Sequence, residues 1–302
     1  MPEGDTVWLA GRRMHGALAG SRLTASDFRV PQLATADLSG RTVREVRTHG
    51  KHMITRLEGG LTLHTHFRMD GSWHLYRSGE RWRGGPAWQV RLVLTTASWQ
   101  AVGYRLPVIE LFPTTAEADH LGHLGPDLLG PEWALPSGSG DAPGSVDQAV
   151  RRGYWVEEDA LRRLTAQPDR TIGEALLDQR NLAGIGTLYR AETLFLRGVH
   201  PRTPVGRVRD LPSTVRLARR LLEANRKHPE QTTTGDLRRG RHHYVYGRKG
   251  QPCRRCGTPI EREEFGPPTQ ERLSYWCPTC QPARPTPSAG SASATGAGDA
   301  VQ

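Results

Sequence analysis

Between Asp5 and Leu18 the apolar positions Val7, Ala10, Met14 and Leu18 recur every three or four residues, the spacing that turns one face of an α-helix toward a core. An opening helix is therefore predicted. Further along, the period changes to two. In LTLHTHF (61–67), Leu61, Leu63, Thr65 and Phe67 alternate with Thr62, His64 and His66, and QVRLVLT (89–95) alternates again, so the first half reads as half-buried strands. Residues 1–134 are predicted to form an N-terminal helix followed by a β-sandwich or barrel. LPSGSGDAPGS (135–145) lacks any period and is rich in Pro, Gly and Ser, which makes 135–146 an expected interdomain linker. Helical spacing returns in EEDALRRL, TIGEALLDQ, TLYRAETLF and STVRLARRLLEANRK, defining a helical domain over 147–240. The class is α+β. Residues 282–302 are of low complexity and are predicted to be disordered.

Charge narrows the partners. The 302 residues carry a net charge of +10, and residues 201–272 hold 17 Arg and Lys against 8 Asp and Glu. Such an excess points to a polyanion, nucleic acid first and acidic membrane second. No run approaches the roughly 18 apolar residues of a spanning helix, and the first residues lack the hydrophobic stretch of a secretion signal. The expected location is the cytoplasm, on the nucleoid. Lysine occurs only at Lys51, Lys227 and Lys249, so each merits inspection.

All four cysteines lie in CRRC (253–256) and CPTC (277–280), two C-x-x-C pairs separated by 20 residues, close to the spacing of a four-cysteine zinc ribbon. Cys253, Cys256, Cys277 and Cys280 would close a tetrahedral shell around one structural zinc; the alternative is four reduced, metal-free thiols. This finger is expected over 241–281. Arg272, in QERLSYWC, would stand near a hairpin tip.

Other segments admit two readings each. In RNLAGIGTLYRAE (180–192), Gly184 and Gly186 precede a helix starting near Thr187, whose free N–H groups suit a phosphate or whose small residues suit a helix-packing corner. Lys51 follows a glycine in HGKHM, either as a functional cation or as a solvated strand-end lysine. Arg68 and Met69 precede an Asp-Gly turn, where Met69 serves either a partner or the core. MPEG at the start is either a helix-dipole complement or a chemical device.

Taken together, MPEG, GK at 50–51, LAGIGTLYRAE, VYGRKGQPCRRCGTPI and YWCPTCQ resemble the formamidopyrimidine-DNA glycosylase and endonuclease VIII family of DNA-repair enzymes. The resemblance runs from the N-terminus to residue 281. It implies a helix and β-sandwich, a helical domain with a helix-two-turn-helix, and a zinc finger whose hairpin approaches the minor groove. It implies that Met1 is removed and that the Pro2 secondary amine attacks C1′ of a damaged nucleotide, with strand cleavage by β,δ-elimination. An α-amine, with an ordinary pKa of about 8, has a useful neutral fraction near pH 7. Glu3 would move protons at the sugar, Lys51 would hold phosphate, Arg272 would grip phosphates flanking the lesion, and Met69 would fill the gap left by the flipped nucleotide. Arg68 and Thr187 are expected on the DNA as well. The implied partner is duplex DNA with oxidised bases or abasic sites, bound by a monomer.

Two departures stand out. The family commonly has Pro-Glu at positions 5 and 6, where this chain has Asp5 and Thr6, so the second acid is expected to be missing; and Thr187 replaces a usual Asn. The segment 232–250 looks too short for a purine-capping loop, which favours the endonuclease VIII branch and oxidised pyrimidines. The rival functions are a glycosylase preferring oxidised purines, a non-catalytic zinc-finger DNA-binding protein, and an RNA-binding factor.

Overall fold

The computed structural model describes residues 2–134, 147–266 and 271–283. Helix α1 (Gly4–Leu18) turns Val7, Met14 and Leu18 inward, as the spacing predicts, with Gly11 buried beside them and Ala10 only partly so. Eight strands follow: β1 (Leu23–Phe28), β2 (Val43–His49), β3 (His52–Leu57), β4 (Leu61–His66), β5 (Ser72–Arg77), β6 (Val90–Thr96), β7 (Trp99–Tyr104) and β8 (Val108–Pro113). They form two antiparallel four-stranded sheets, ordered β1-β6-β7-β5 and β2-β3-β4-β8. A core including Val7, Met14, Leu18, Met53, Leu63, Phe67, Leu92 and Leu94 lies between the helix and the sheets. The fold is the predicted sandwich.

Register places the functional end. His52 pairs with His66, and His66 with Val108, in one sheet; Ser72 and Val90 both pair with Tyr104 in the other. The connections 67–71 and 105–107 cross between the sheets at this same end. Lys51, immediately before β3, also lies there.

After α2 (Glu117–Leu121), the second half contains α3 (Asp147–Thr165), α4 (Ile172–Leu177), α5 (Thr187–Arg197) and α6 (Leu211–Asn225). Local chemistry sets their ends. Thr171 accepts from Glu174 N and Asp210 from Ser213 N, two side-chain N-caps, and Gly198 ends α5 at φ 65°. α3 begins ten residues before the predicted EEDALRRL segment, because DQAVRRGYWV carries no clear period. A second core holds Leu176, Leu182, Ile185, Tyr189, Val215 and Leu222. The finger strands β9 (Glu261–Phe265) and β10 (Arg272–Trp276) pair antiparallel, and Phe195, Val245, Ile260 and Tyr275 join the finger to α5. The predicted linker (135–146) and the tail from 284 lie outside the described residues. Among the described residues, no helix is long and apolar enough to cross a membrane.

Candidate active site and nucleic-acid interface

The site forms where three segments approach more closely than side chains would allow. A Cβ on Gly4 would lie 3.0 Å from Gly184 Cα, one on Gly50 (φ 57°) 2.7 Å from Ala183 Cβ, and one on Gly186 2.5 Å from Glu3 Cδ. The glycines of MPEG, HGK and AGIG therefore serve one another. Gly4 N donates to Gly184 O at 2.8 Å, which fixes the chain start against the loop before α5.

Glu3 completes that contact. Its carboxylate accepts from Gly186 N (2.6 Å), Leu188 N (2.7 Å) and Tyr189 N (3.4 Å), at the N-terminal end of α5 where backbone donors lack helical partners. This corrects the expectation of a phosphate guest there, since these amides hold the protein's own acid. Thr187 is likewise withdrawn from the surface, at 6 % exposure. Burial raises the Glu3 pKa despite the opposing pull of Lys51 and of the backbone donors. Pro2, half-buried, immediately precedes this anchor, which Glu3 makes through its carboxylate and Gly4 through its amide.

Lys51 is half-buried beside this acid. Burial holds its ammonium below the ordinary value; Glu3 pulls it back up and Arg272 pushes it further down. Residues from the N-terminus, the sandwich and the finger therefore share one electrostatic environment. Lys51 is therefore not a fully solvated strand-end lysine.

A second carboxylate is present after all. Asp5 is buried, accepts from Tyr189 Oη at 2.6 Å, and accepts from Gln231 Nε2 at 2.9 and 3.0 Å. Burial raises its pKa, against the pull of both hydrogen bonds. Position 6 itself lacks the acid, as the sequence reads; Asp5, one residue earlier, is a buried acid whose partners only tertiary contact reveals.

At the sandwich end, Arg68 (φ 47°) and Met69 are exposed, Met69 at 62 %, so the core reading of Met69 fails. His66 Nδ1 accepts from Arg68 N at 3.0 Å, and burial, with help from Lys51, holds the His66 pKa at about 4. His66 is neutral at pH 7. Behind it, His52 Nδ1 meets His64 Nε2 at 2.9 Å and His64 Nδ1 meets Glu110 Oε2 at 2.8 Å. Because a carboxylate only accepts, His64 donates through Nδ1, and His52 must donate to His64 Nε2. Alternation in LTLHTHF identified the strand but not this chain of imidazoles.

The finger is anchored to α5 from two sides. Glu192 accepts from Tyr244, Val245 and Tyr246 N, each at 2.8 Å, and also from Thr233 Oγ1. Buried Arg190 donates to Leu273 O at 2.6 Å, next to exposed Arg272. The four cysteine Sγ atoms all lie within 4.8 Å of one another, with Cys256–Cys277 at 3.4, Cys256–Cys280 at 3.6 and Cys253–Cys280 at 3.9 Å. A tetrahedron with Zn–S bonds of about 2.3 Å has S–S edges of about 3.8 Å, so this donor set fits zinc. The cluster is a structural zinc site.

Comparison with known proteins agrees throughout the chain. Residues 1–105 match the formamidopyrimidine-DNA glycosylase N-terminal domain, 155–223 its H2TH domain, and 250–283 the zinc finger found in FPG and IleRS. The chain is 53 % identical over 295 residues to "Probable endonuclease 8 2" of Streptomyces coelicolor, covering 96 % of this chain and 97 % of the relative. It is 41 % identical over 283 residues to the DNA-(apurinic or apyrimidinic site) lyase Nei2 of Mycolicibacterium smegmatis, covering 94 % and 100 %. The chain belongs to the formamidopyrimidine-DNA glycosylase and endonuclease VIII family. Its fold is similar to that of Lactococcus lactis formamidopyrimidine-DNA glycosylase bound non-covalently to DNA containing an AP site, with a TM-score of 0.69, 20 % identity, and coverage of 93 % of this chain and 100 % of that one. Glu3 and Arg272 both act on Lys51 electrostatically, and Arg68 and Met69 are exposed at the end of the sandwich where Lys51 lies.

Proposed function

We propose that the protein is a bifunctional DNA glycosylase and AP lyase that removes oxidised pyrimidines from duplex DNA. The reading rests chiefly on Glu3, a buried acid fixed by three α5 amides one residue after Pro2 and electrostatically paired with Lys51. After removal of Met1, the Pro2 amine attacks C1′ while Glu3, whose raised pKa favours the protonated form, delivers a proton as the base departs. The resulting iminium acidifies the C2′ proton. Its loss expels the 3′ phosphate, and a second elimination releases the 5′ phosphate.

Burial depresses the Lys51 pKa and Arg272 adds to that depression, while Glu3 opposes both. A DNA phosphate between the two cations would offset their repulsion. Exposed Met69 is suited to occupy the gap left by an extruded nucleotide. The short 232–250 segment and the endonuclease 8 names of the relatives support the pyrimidine preference.

Borohydride reduction tests this directly. Native protein should begin at Pro2 and form a reduced covalent adduct with abasic or lesion-bearing DNA, and substitution of Pro2 should abolish it. Glu3→Gln should still trap a pre-formed abasic site, yet excise an intact damaged base about 10²–10⁴-fold more slowly. Full activity in both Pro2→Gly and a form with extra N-terminal residues would overturn the assignment.

A further inference from the structure

Met69 and Trp88 are two of the three large apolar side chains exposed among the described residues, at 62 % and 73 %. They leave the same end of one sheet. β5 begins at Ser72 and β6 at Val90, both opposite Tyr104 at the end of β7, so the segments carrying Met69 and Trp88 emerge on either side of β7. Arg105 (φ 48°), directly after β7, joins them: its Nε donates to Asp70 O at 3.1 Å, its Nη1 to Gln89 Oε1 at 2.7 Å, and its amide to Gln89 O at 2.8 Å.

The segment before β6 is held in place. Trp82 Nε1 donates to Gln100 Oε1 at 3.1 Å, Arg83 N to Tyr76 Oη at 3.0 Å, and Arg91 Nη1 to Trp88 O at 2.7 Å. A fixed backbone presenting a bare indole has no intramolecular purpose to explain it. Two strand spacings separate the starts of β5 and β6 by about 10 Å, about three times the roughly 3.4 Å of one vacated position in a stack. The two segments are therefore spaced to meet neighbouring parts of a duplex. Extruding a nucleotide creates a second need: the base left opposite loses its partner and exposes its pairing edge and face. Exposed Arg68 and Arg105 supply positive charge for the backbone that brings that base near.

We propose that Trp88 stacks against the unpaired base of the strand opposite the lesion, making it a residue that selects duplex over single-stranded DNA. The inference rests on the glycosylase reading above.

The test uses full-length wild type, Trp88→Ala and Trp88→Phe, with fluorescence anisotropy on duplexes holding a tetrahydrofuran abasic analogue. Each of the four bases, or a second tetrahydrofuran, stands opposite. With any base opposite, Trp88→Ala should bind roughly five- to hundredfold more weakly, and Trp88→Phe should recover most of the loss, because aromatic stacking tolerates every base. With tetrahydrofuran opposite, wild type should fall to the level of Trp88→Ala. A loss that is the same with and without an opposite base, or no loss, overturns the inference. Borohydride trapping of duplex abasic DNA by wild type separates the two layers: if it fails, the glycosylase reading falls, and if it succeeds while Trp88→Ala shows no base-dependent loss, only the Trp88 role falls.

Discussion

Gly186 illustrates how tightly single atoms constrain this site. Its backbone (φ −130°, ψ −160°) suits any residue, so an added methyl acts only through contact, and that contact is Glu3 Cδ at 2.5 Å. Gly186→Ala should displace the Glu3 carboxylate from its amides and slow base excision by about 10²-fold, the typical cost of an ångström-scale misplacement. Circular dichroism should report a folded chain. Gly16→Ala provides the control, because nothing lies within 4 Å of a Cβ there and the site is solvent-facing on α1; excision should be unchanged. Asp5 makes a related point: a buried acid bonded to Tyr189 and Gln231 ties α1 to α5 and to the segment leading into the finger.

Among the elements, β10 depends most on a neighbour, because Arg190 fixes Leu273 from α5 while the cysteine cluster closes the finger's base. Chelation of zinc should weaken binding to an abasic-analogue duplex while α1 and the sandwich stay folded, since their core shares no residue with the finger. Anisotropy and far-ultraviolet circular dichroism after chelator treatment check both halves; elemental analysis should find one zinc per chain. Elements with a strong period were legible in the chain itself. Val7, Met14 and Leu18 foretold α1, and alternation foretold β4 and β6 almost to their ends. The C-x-x-C pairs were legible for the same reason, because metal geometry imposes a local spacing. Glu3's partners were not, since three amides distant in sequence leave no trace in spacing. Asp5, the imidazole chain and the fixed exposure of Trp88 were hidden likewise, each being set by pairing between strands or domains.

Across the whole molecule, positive charge from separate domains comes together near Glu3. Lys51 comes from the sandwich and Arg272 from the finger, and the field of Arg272 reaches the Lys51 ammonium. Arg272→Ala should therefore lower the slope of log affinity against log salt by about 0.9, one phosphate contact. An unchanged slope, measured by anisotropy titrations from low to physiological salt, would place Arg272 off the DNA.

The bond between Glu3 and Gly186 spans 183 residues, and that separation sets an order of events at birth. The acid is among the first residues synthesised, yet its partners leave the ribosome only after most of the sandwich and α3 have been made. At about 5–20 residues per second, the nascent terminus waits roughly 10–40 s before α5 arrives to bury it. The proposed removal of Met1 belongs to that interval, while an aminopeptidase still reaches the end of the chain. Once the helix docks, Glu3 and Gly4 are fixed and Pro2 is half-buried, so the end of the chain is no longer a free segment.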